Sequence, residues 1–220
     1  MKTMFDKVLF DLDGTITDSK EGILKSIRYA FGKMNLDQYD DDFLMSFVGP
    51  PLMDSFMQIA NLSKKDAQKA LEFYRERFQT IGIYENKLYP GIGELLHLLS
   101  QRKDIKVYIA TAKPLPFALR VLEYFKIIKY FDDICGSTLD GSISGKTQVI
   151  STLLNRLEPD FNKDRTLMIG DRNHDIFGAK KNGIKSLGVL YGYGDIEEIG
   201  SADYLVNSVE ELKKFLLGDK

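Results

Sequence analysis

Lys7-Val8-Leu9-Phe10-Asp11-Leu12-Asp13-Gly14-Thr15 begins as an apolar run with polar ends and stops abruptly on two carboxylates and a glycine. A run that is apolar at consecutive positions, without alternation, is the pattern of a strand covered on both faces, as in parallel sheets. The same character returns at Ile105 to Ala110, Ile134 to Gly136, Thr166 to Ile169 and Ser186 to Leu190, each beside a helical pattern. Pro114 stands where a helix-starting proline belongs, and Val121, Leu122 and Phe125 continue that helix. Lys146 to Leu157 and Asp175 to Asn182 are further helices, the latter stopped by Gly183. Strand and helix in alternation predict an α/β fold with a doubly wound, mainly parallel sheet.

The stretch 17–83 breaks the alternation and contains no strand candidate. Ile23, Ile27, Ala30, Phe31 and Met34 recur at helical spacing, as do Ala67, Ala70, Leu71, Tyr74 and Phe78, the last two read as packing within this segment. Ser63 with Asp66 has the form of a capping box. Between the two helices, Phe47-Val48-Gly49-Pro50-Pro51-Leu52 reads as a rigid turn leading into Met53, Phe56 and Ile59. The expected organisation is therefore a catalytic α/β core at 1–16 and 84–220, with a small all-helical domain at 17–83. An insertion of this length has its own small core and can move as a lid.

The chain has 220 residues, with 30 Lys and Arg against 32 Asp and Glu, a formal net charge of −2. Near-balanced charge, with no concentrated basic surface, argues against a nucleic-acid polymer as partner. No apolar run approaches the ~20 residues of a membrane span. The opening Met1 to Phe10 lacks a signal-peptide pattern, and the single Cys135 cannot form an internal disulfide, so the reading is cytoplasmic.

Two acidic pairs carry the chemistry. Asp11 and Asp13 follow the first strand, and Asp171 and Asp175 follow the strand Leu167-Met168-Ile169-Gly170. Open α/β sheets bind ligands at the carboxyl ends of their strands, so both pairs converge. Packed carboxylates raise one another's pKa unless a cation neutralises them, and a hard, oxygen-ligated Mg²⁺ suits the set. An EF-hand is excluded: counted from Asp11, the sixth and twelfth positions are Ile16 and Gly22, and from Asp171 they are Ile176 and Asn182. Thr111 ends one strand and Lys146 opens a helix, a hydroxyl and an ammonium suited to a phosphoryl group's oxygens. Gly145-Lys146-Thr147 is not a nucleotide P-loop, because Asp140 stands where the first glycine belongs. Gly91-Ile92-Gly93 lacks the third glycine of a dinucleotide fingerprint, since position 96 is Leu.

Asp-x-Asp-Gly-Thr, then Thr111, then Lys146, then Gly170-Asp171-Arg172-Asn173-His174-Asp175 resembles, in this order, the four motifs of the haloacid dehalogenase superfamily. The resemblance covers essentially the whole chain, and the helical insertion after the first motif is similar to that family's first cap type. Gly188 to Gly194 with Ala202-Asp203 resembles the phosphoglycolate phosphatase-like and 5′-nucleotidase-like branch. The resemblance implies Asp11 as nucleophile and Asp13 as acid and base, with Mg²⁺ between Asp11, the Asp13 main chain and Asp171, and Asp175 completing or orienting the metal shell. It implies that Leu12, Thr111, Ala112 and Lys146 hold the phosphoryl group, and Gly49, Pro50 and Lys113 are candidates for substrate specificity. An Asp at position 13 implies an oxygen leaving group.

The expected activity is Mg²⁺-dependent hydrolysis of a small phosphorylated metabolite, such as phosphoglycolate, a nucleoside monophosphate or a sugar phosphate, by a monomer or homodimer. The alternative is a phosphomutase of the β-phosphoglucomutase type. Receiver domains combine a similar residue set, but are about half this length and lack an insertion here. His174 lies inside the fourth motif without a required role, His97 is read at a helix edge, and Cys135 is read as packing.

Overall fold

The computed structural model describes residues 4–36, 39–157 and 161–218. The chain divides into two compact units, one formed by 1–17 and 88–220, the other by 18–87.

In the first unit six strands form one sheet: β1 (Lys7–Phe10), β4 (Lys106–Pro114), β5 (Asp133–Ser137), β6 (Thr166–Gly170), β7 (Lys185–Val189) and β8 (Tyr204–Val206). Their order is β5-β4-β1-β6-β7-β8, and every pairing is parallel. The consecutive apolar run of β1 has the predicted cause: Val8, Leu9 and Phe10 are all fully buried. Leu9, Tyr108, Ala110 and Met168 pack with Val149, Ile150 and Leu153 of α7 (Lys146–Leu154) and Ala179 of α8 (Asn173–Asn182). The alternate residues Val8, Phe10, Ile109 and Ile169 are buried as well. By the strand period of two they line the opposite face, where α5 (Ile92–Ser100) packs on β4 and meets α10 (Val209–Leu217). This unit also holds the α-helices α6 (Leu115–Tyr124) and the short α9 (Ile196–Ile199).

The second unit holds α1 (Lys20–Lys33), α2 (Asp41–Met45), α3 (Leu52–Gln58) and α4 (Lys64–Phe78). Ser63 caps α4 by accepting from the Asp66 amide. Phe31 sits edge-on to Phe47 and Phe56, giving this unit an aromatic centre. At its C-terminal end Glu85 takes a two-pronged ion pair from Arg77, at 2.8 and 3.1 Å, and the Lys25 ammonium at 3.0 Å.

Several expectations shift. Thr17–Asp18 is a short strand, β2, pairing with β3 (Lys87–Leu88), so the stretch 17–83 is not strand-free. The second crossing between units falls at 87/88, not 83/84, because Gly82–Tyr84 turns as a 3-10 helix and Glu85 stays clamped. β4 runs on to Pro114, which caps α6 from outside and does not open it. The helix from Lys146 ends at Leu154, and α8 starts at Asn173 because the Asp175 carboxylate accepts from the Arg172 amide at 3.1 Å. Among the described residues no helix is long and apolar enough to cross a membrane.

Candidate active site

The order β4-β1-β6 makes β1 the place where successive strands turn to opposite sides, and the crevice of such a sheet lies beyond the strands' carboxyl ends there. Beyond β1 the Asp11 amide donates to the Ile169 carbonyl at 2.8 Å, holding the residue against β6. The chain then winds around the Leu12 carbonyl, which accepts from the amides of Thr15, Ile16 and Thr17. Leu12 itself is fully buried.

Asp11, Asp171 and Asp175 each offer a carboxylate oxygen, and these atoms lie within 4.8 Å of one another. All three are buried, with Asp171 at 0% and Asp175 at 1% exposure. Lys146, projecting from the start of α7, meets Asp11 Oδ1 at 2.5 Å and Asp175 Oδ1 at 2.8 Å, and its ammonium donates to the Ala110 carbonyl at 3.0 Å. Burial pushes the Asp11 carboxyl up to about 6; Lys146 opposes this, while Asp175 and Asp13 add to it. Burial also pushes Asp171 well above the usual carboxylate range, with Asp175 and Asp11 acting in the same direction. Lys146 is pushed up, because the attraction of Asp11 and Asp175 outweighs its own burial.

With all three carboxylates ionised, they and the ammonium carry a net −2, the charge a divalent cation would balance. Apart from the ammonium at ion-pair distance, Asp11 Oδ1 and Asp175 Oδ1 have no hydrogen-bond partner among the described residues. Hard oxygen donors with spare lone pairs suit Mg²⁺.

Glycines make room for the acids. A Cβ on Gly14 (φ +84°) would fall 2.1 Å from Asp171 Oδ2, and one on Gly170 would fall 2.1 Å from Asp175 Cγ. Sequence reasoning missed the residues that hold Asp171. The Thr15 hydroxyl donates to Asp171 Oδ1 at 3.2 Å, and the Tyr193 amide donates to Oδ2 at 2.9 Å. Tyr191 donates to the Thr15 carbonyl at 3.0 Å, and its phenol is pushed up by burial. A Cβ on Gly192 would meet Asp171 Cβ at 2.3 Å, and one on Gly194 the Asp171 carbonyl at 2.1 Å. The signal was present: three glycines from Gly188 to Gly194, where a chain must pass close to another backbone.

Asp13 stands apart from the trio in its pairing. The Lys113 ammonium donates to both its oxygens, at 2.9 and 2.7 Å. Thr111 is 1% exposed and accepts the Lys113 amide at 3.1 Å; the Ala112 carbonyl accepts from the Ser137 hydroxyl at 2.8 Å. Gly49 and Pro50 belong to the second unit, in the turn between α2 and α3. His174 is half-buried, its Nδ1 unpartnered among the described residues and its ring pushed down by burial; it lines a surface cleft with Phe177 and Glu198. Cys135 packs in the core between sheet and α7, where burial pushes the thiol up.

Comparison with known proteins gives the site its context. The model of the haloacid dehalogenase-like hydrolases matches residues 8–189. A 5′-nucleotidase of Pseudomonas aeruginosa is 41% identical over 89% of this chain and 87% of its own length. Tyrosine-protein kinase PtkA of Mycobacterium tuberculosis is 34% identical over 95% of this chain and 72% of its own. A crystal structure described as a predicted phosphatase from Clostridium acetobutylicum superposes with a TM-score of 0.90 at 45% identity, covering 96% of this chain and 97% of that one.

Proposed function

The chain belongs to the haloacid dehalogenase-like hydrolase family, as a phosphatase-type enzyme, and from that premise we propose that it hydrolyses small phosphomonoesters with Mg²⁺ through an aspartyl-phosphate on Asp11. The observation that carries this reading is the buried Asp11–Lys146–Asp175 ion-pair chain beside Asp171, with Asp13 held on a different lysine. Asp11, the Asp13 main chain and Asp171 would hold Mg²⁺, with Asp175 steadying the set. When bound, the ion supplies charge neutralisation on the transferring phosphoryl oxygens.

In the first half an Asp11 carboxylate oxygen attacks phosphorus, the bond to the leaving oxygen breaks, and the Asp13 carboxyl gives that oxygen its proton. In the second half water attacks the same phosphorus while Asp13 takes its proton, and the bond to Asp11 breaks, releasing phosphate. The proton Asp13 takes from water is the one it spends in the next turnover. Thr111, the backbone at Leu12 and Ala112, and Lys146 hold the phosphoryl oxygens, since positioning and electrostatics carry most phosphoryl-transfer catalysis. The insertion at 18–87 serves as a cap, with Gly49 and Pro50 selecting the leaving group.

Nucleoside 5′-monophosphates lead the substrate panel, because the relative named 5′-nucleotidase is 41% identical; phosphoglycolate and sugar phosphates follow. The reading includes a cytoplasmic location. The test measures phosphate release from this panel and from an aryl phosphate, with Mg²⁺ or chelator, beside Asp11→Asn. Metal-dependent release lost in Asp11→Asn is expected. Product isomerisation without phosphate release would instead identify a phosphomutase, and a folded protein inert on every member overturns the proposal.

A further inference from the structure

Lys113 is only 8% exposed, unusual for an ammonium, and its head grips both oxygens of Asp13. The pair is largely shielded from water, with side-chain exposures of 5% and 17%. Charges removed from water this far are retained only with good geometry, which a two-oxygen grip supplies. The backbone beneath is fixed as well. The Lys113 amide donates to the Thr111 hydroxyl, and Ser137 holds the Ala112 carbonyl. A Cβ at Gly136 would fall 2.7 Å from the Lys113 carbonyl, so the neighbouring strand approaches where only glycine fits. The pairing of β4 with β5 shifts register between Thr111 and Pro114, and Lys113 lies in that irregular stretch, two residues after Thr111.

We propose that Lys113 is a positioning residue for Asp13: it fixes the orientation of the carboxylate that moves the proton, and does not itself bind the phosphoryl group. The inference rests on the reading of Asp13 as acid and base given above. A carboxylate free to turn serves poorly in proton transfer, because the donor must lie within hydrogen-bond reach of the leaving oxygen as the bond breaks. Lys113 removes that freedom, and its charge is spent on Asp13.

The test measures kcat and KM over phosphomonoesters of rising leaving-group basicity, from an activated aryl phosphate to alkyl phosphates. The proteins are wild type, Lys113→Met, Lys113→Arg, Asp13→Asn and the Lys113→Met/Asp13→Asn double variant, each checked by thermal unfolding. Proton donation matters most for basic leaving groups and is worth ~10²–10⁴-fold in rate. Lys113→Met is therefore expected to lose on the order of 10-fold or more of kcat/KM on alkyl phosphates and far less on the aryl phosphate, with KM little changed. Lys113→Arg recovers most of the loss, and in the Asp13→Asn background Lys113→Met adds none. An equal loss for every leaving group, a rise in KM alone, or a full additional loss in the Asp13→Asn background overturns the inference. If Lys113→Met does not fold, Lys113→Gln is read by the same criteria. Wild type without metal-dependent phosphate release would overturn the phosphatase reading itself, and this inference with it.

Discussion

In the proposed reading Asp11 has to be two things: ionised enough to attack phosphorus and buried enough to lie among other acids. Burial raises its carboxyl from the usual 3.8 to about 6. A raised folded-state pKa means that the protonated form is the one the fold favours. Its stabilisation is complete below pH 3.8 and is lost as pH rises through about 6, on the order of 3 kcal/mol. Asp11→Asn, which mimics the protonated form, is therefore expected to melt above wild type in chelator at pH 7.5. The gap should close toward pH 4, and Mg²⁺ should reverse the order by stabilising wild type alone. Thermal unfolding of both proteins across pH, with and without Mg²⁺, checks this; identical melting in chelator at pH 7.5 would refute it. At this scale the carboxylates were legible, because acids at the carboxyl ends of buried strands are chemically conspicuous. Their holders were not. Nothing in the spacing of Lys113 or Thr15 says that one reaches Asp13 and the other Asp171, since both contacts depend on how separate strands are placed in space.

Elements with continuous apolar runs, β1 and β4 to β7, were readable because burial on both faces leaves a mark at every position. The three-residue β8, at the sheet's edge, and the short α2 leave no such mark, and β4 outran its apolar run because pairing with β5 carries Thr111 to Pro114 through polar residues. The segment between β7 and α9 is the most informative miss. Its glycines read as a family trait, yet Gly192 and Gly194 are sites where the chain presses against Asp171. Gly192→Ala would drive a methyl to 2.3 Å from Asp171 Cβ and 2.4 Å from the Gly14 carbonyl. The expected cost is ~1–3 kcal/mol, with a loss of Mg²⁺ response because Asp171 must move. Gly93→Ala, inside α5 with nothing within 4 Å, is expected to stabilise by up to ~1 kcal/mol and leave the metal response intact. Denaturant unfolding of the two variants separates close approach from mere glycine content; equal behaviour would refute it.

The first unit is discontinuous in sequence, whereas 18–87 is continuous, so the chain leaves the α/β unit once and returns once. Exit and return are adjacent: β2 pairs with β3, and the Tyr89 amide donates to the Ile16 carbonyl at 3.1 Å. Strand periodicity made this interruption visible, but only the pairing of two-residue strands, too short for any pattern, fixes where it begins and ends. Asp11, Asp13, Thr111, Lys113, Lys146, Asp171 and Asp175 all belong to the first unit. Joining Thr17 to Leu88 through a short glycine-serine linker should therefore yield a folded α/β protein whose melting temperature still rises with Mg²⁺. In the proposed reading it would also still release phosphate from an aryl phosphate, more slowly, because nothing excludes water from the transfer. Discrimination among metabolite monoesters should fall with the insertion removed. A folded deletion protein indifferent to Mg²⁺ would mean that the acid set of the first unit is not a sufficient metal site. Retained metal response with unchanged discrimination would instead relocate specificity to the α/β unit.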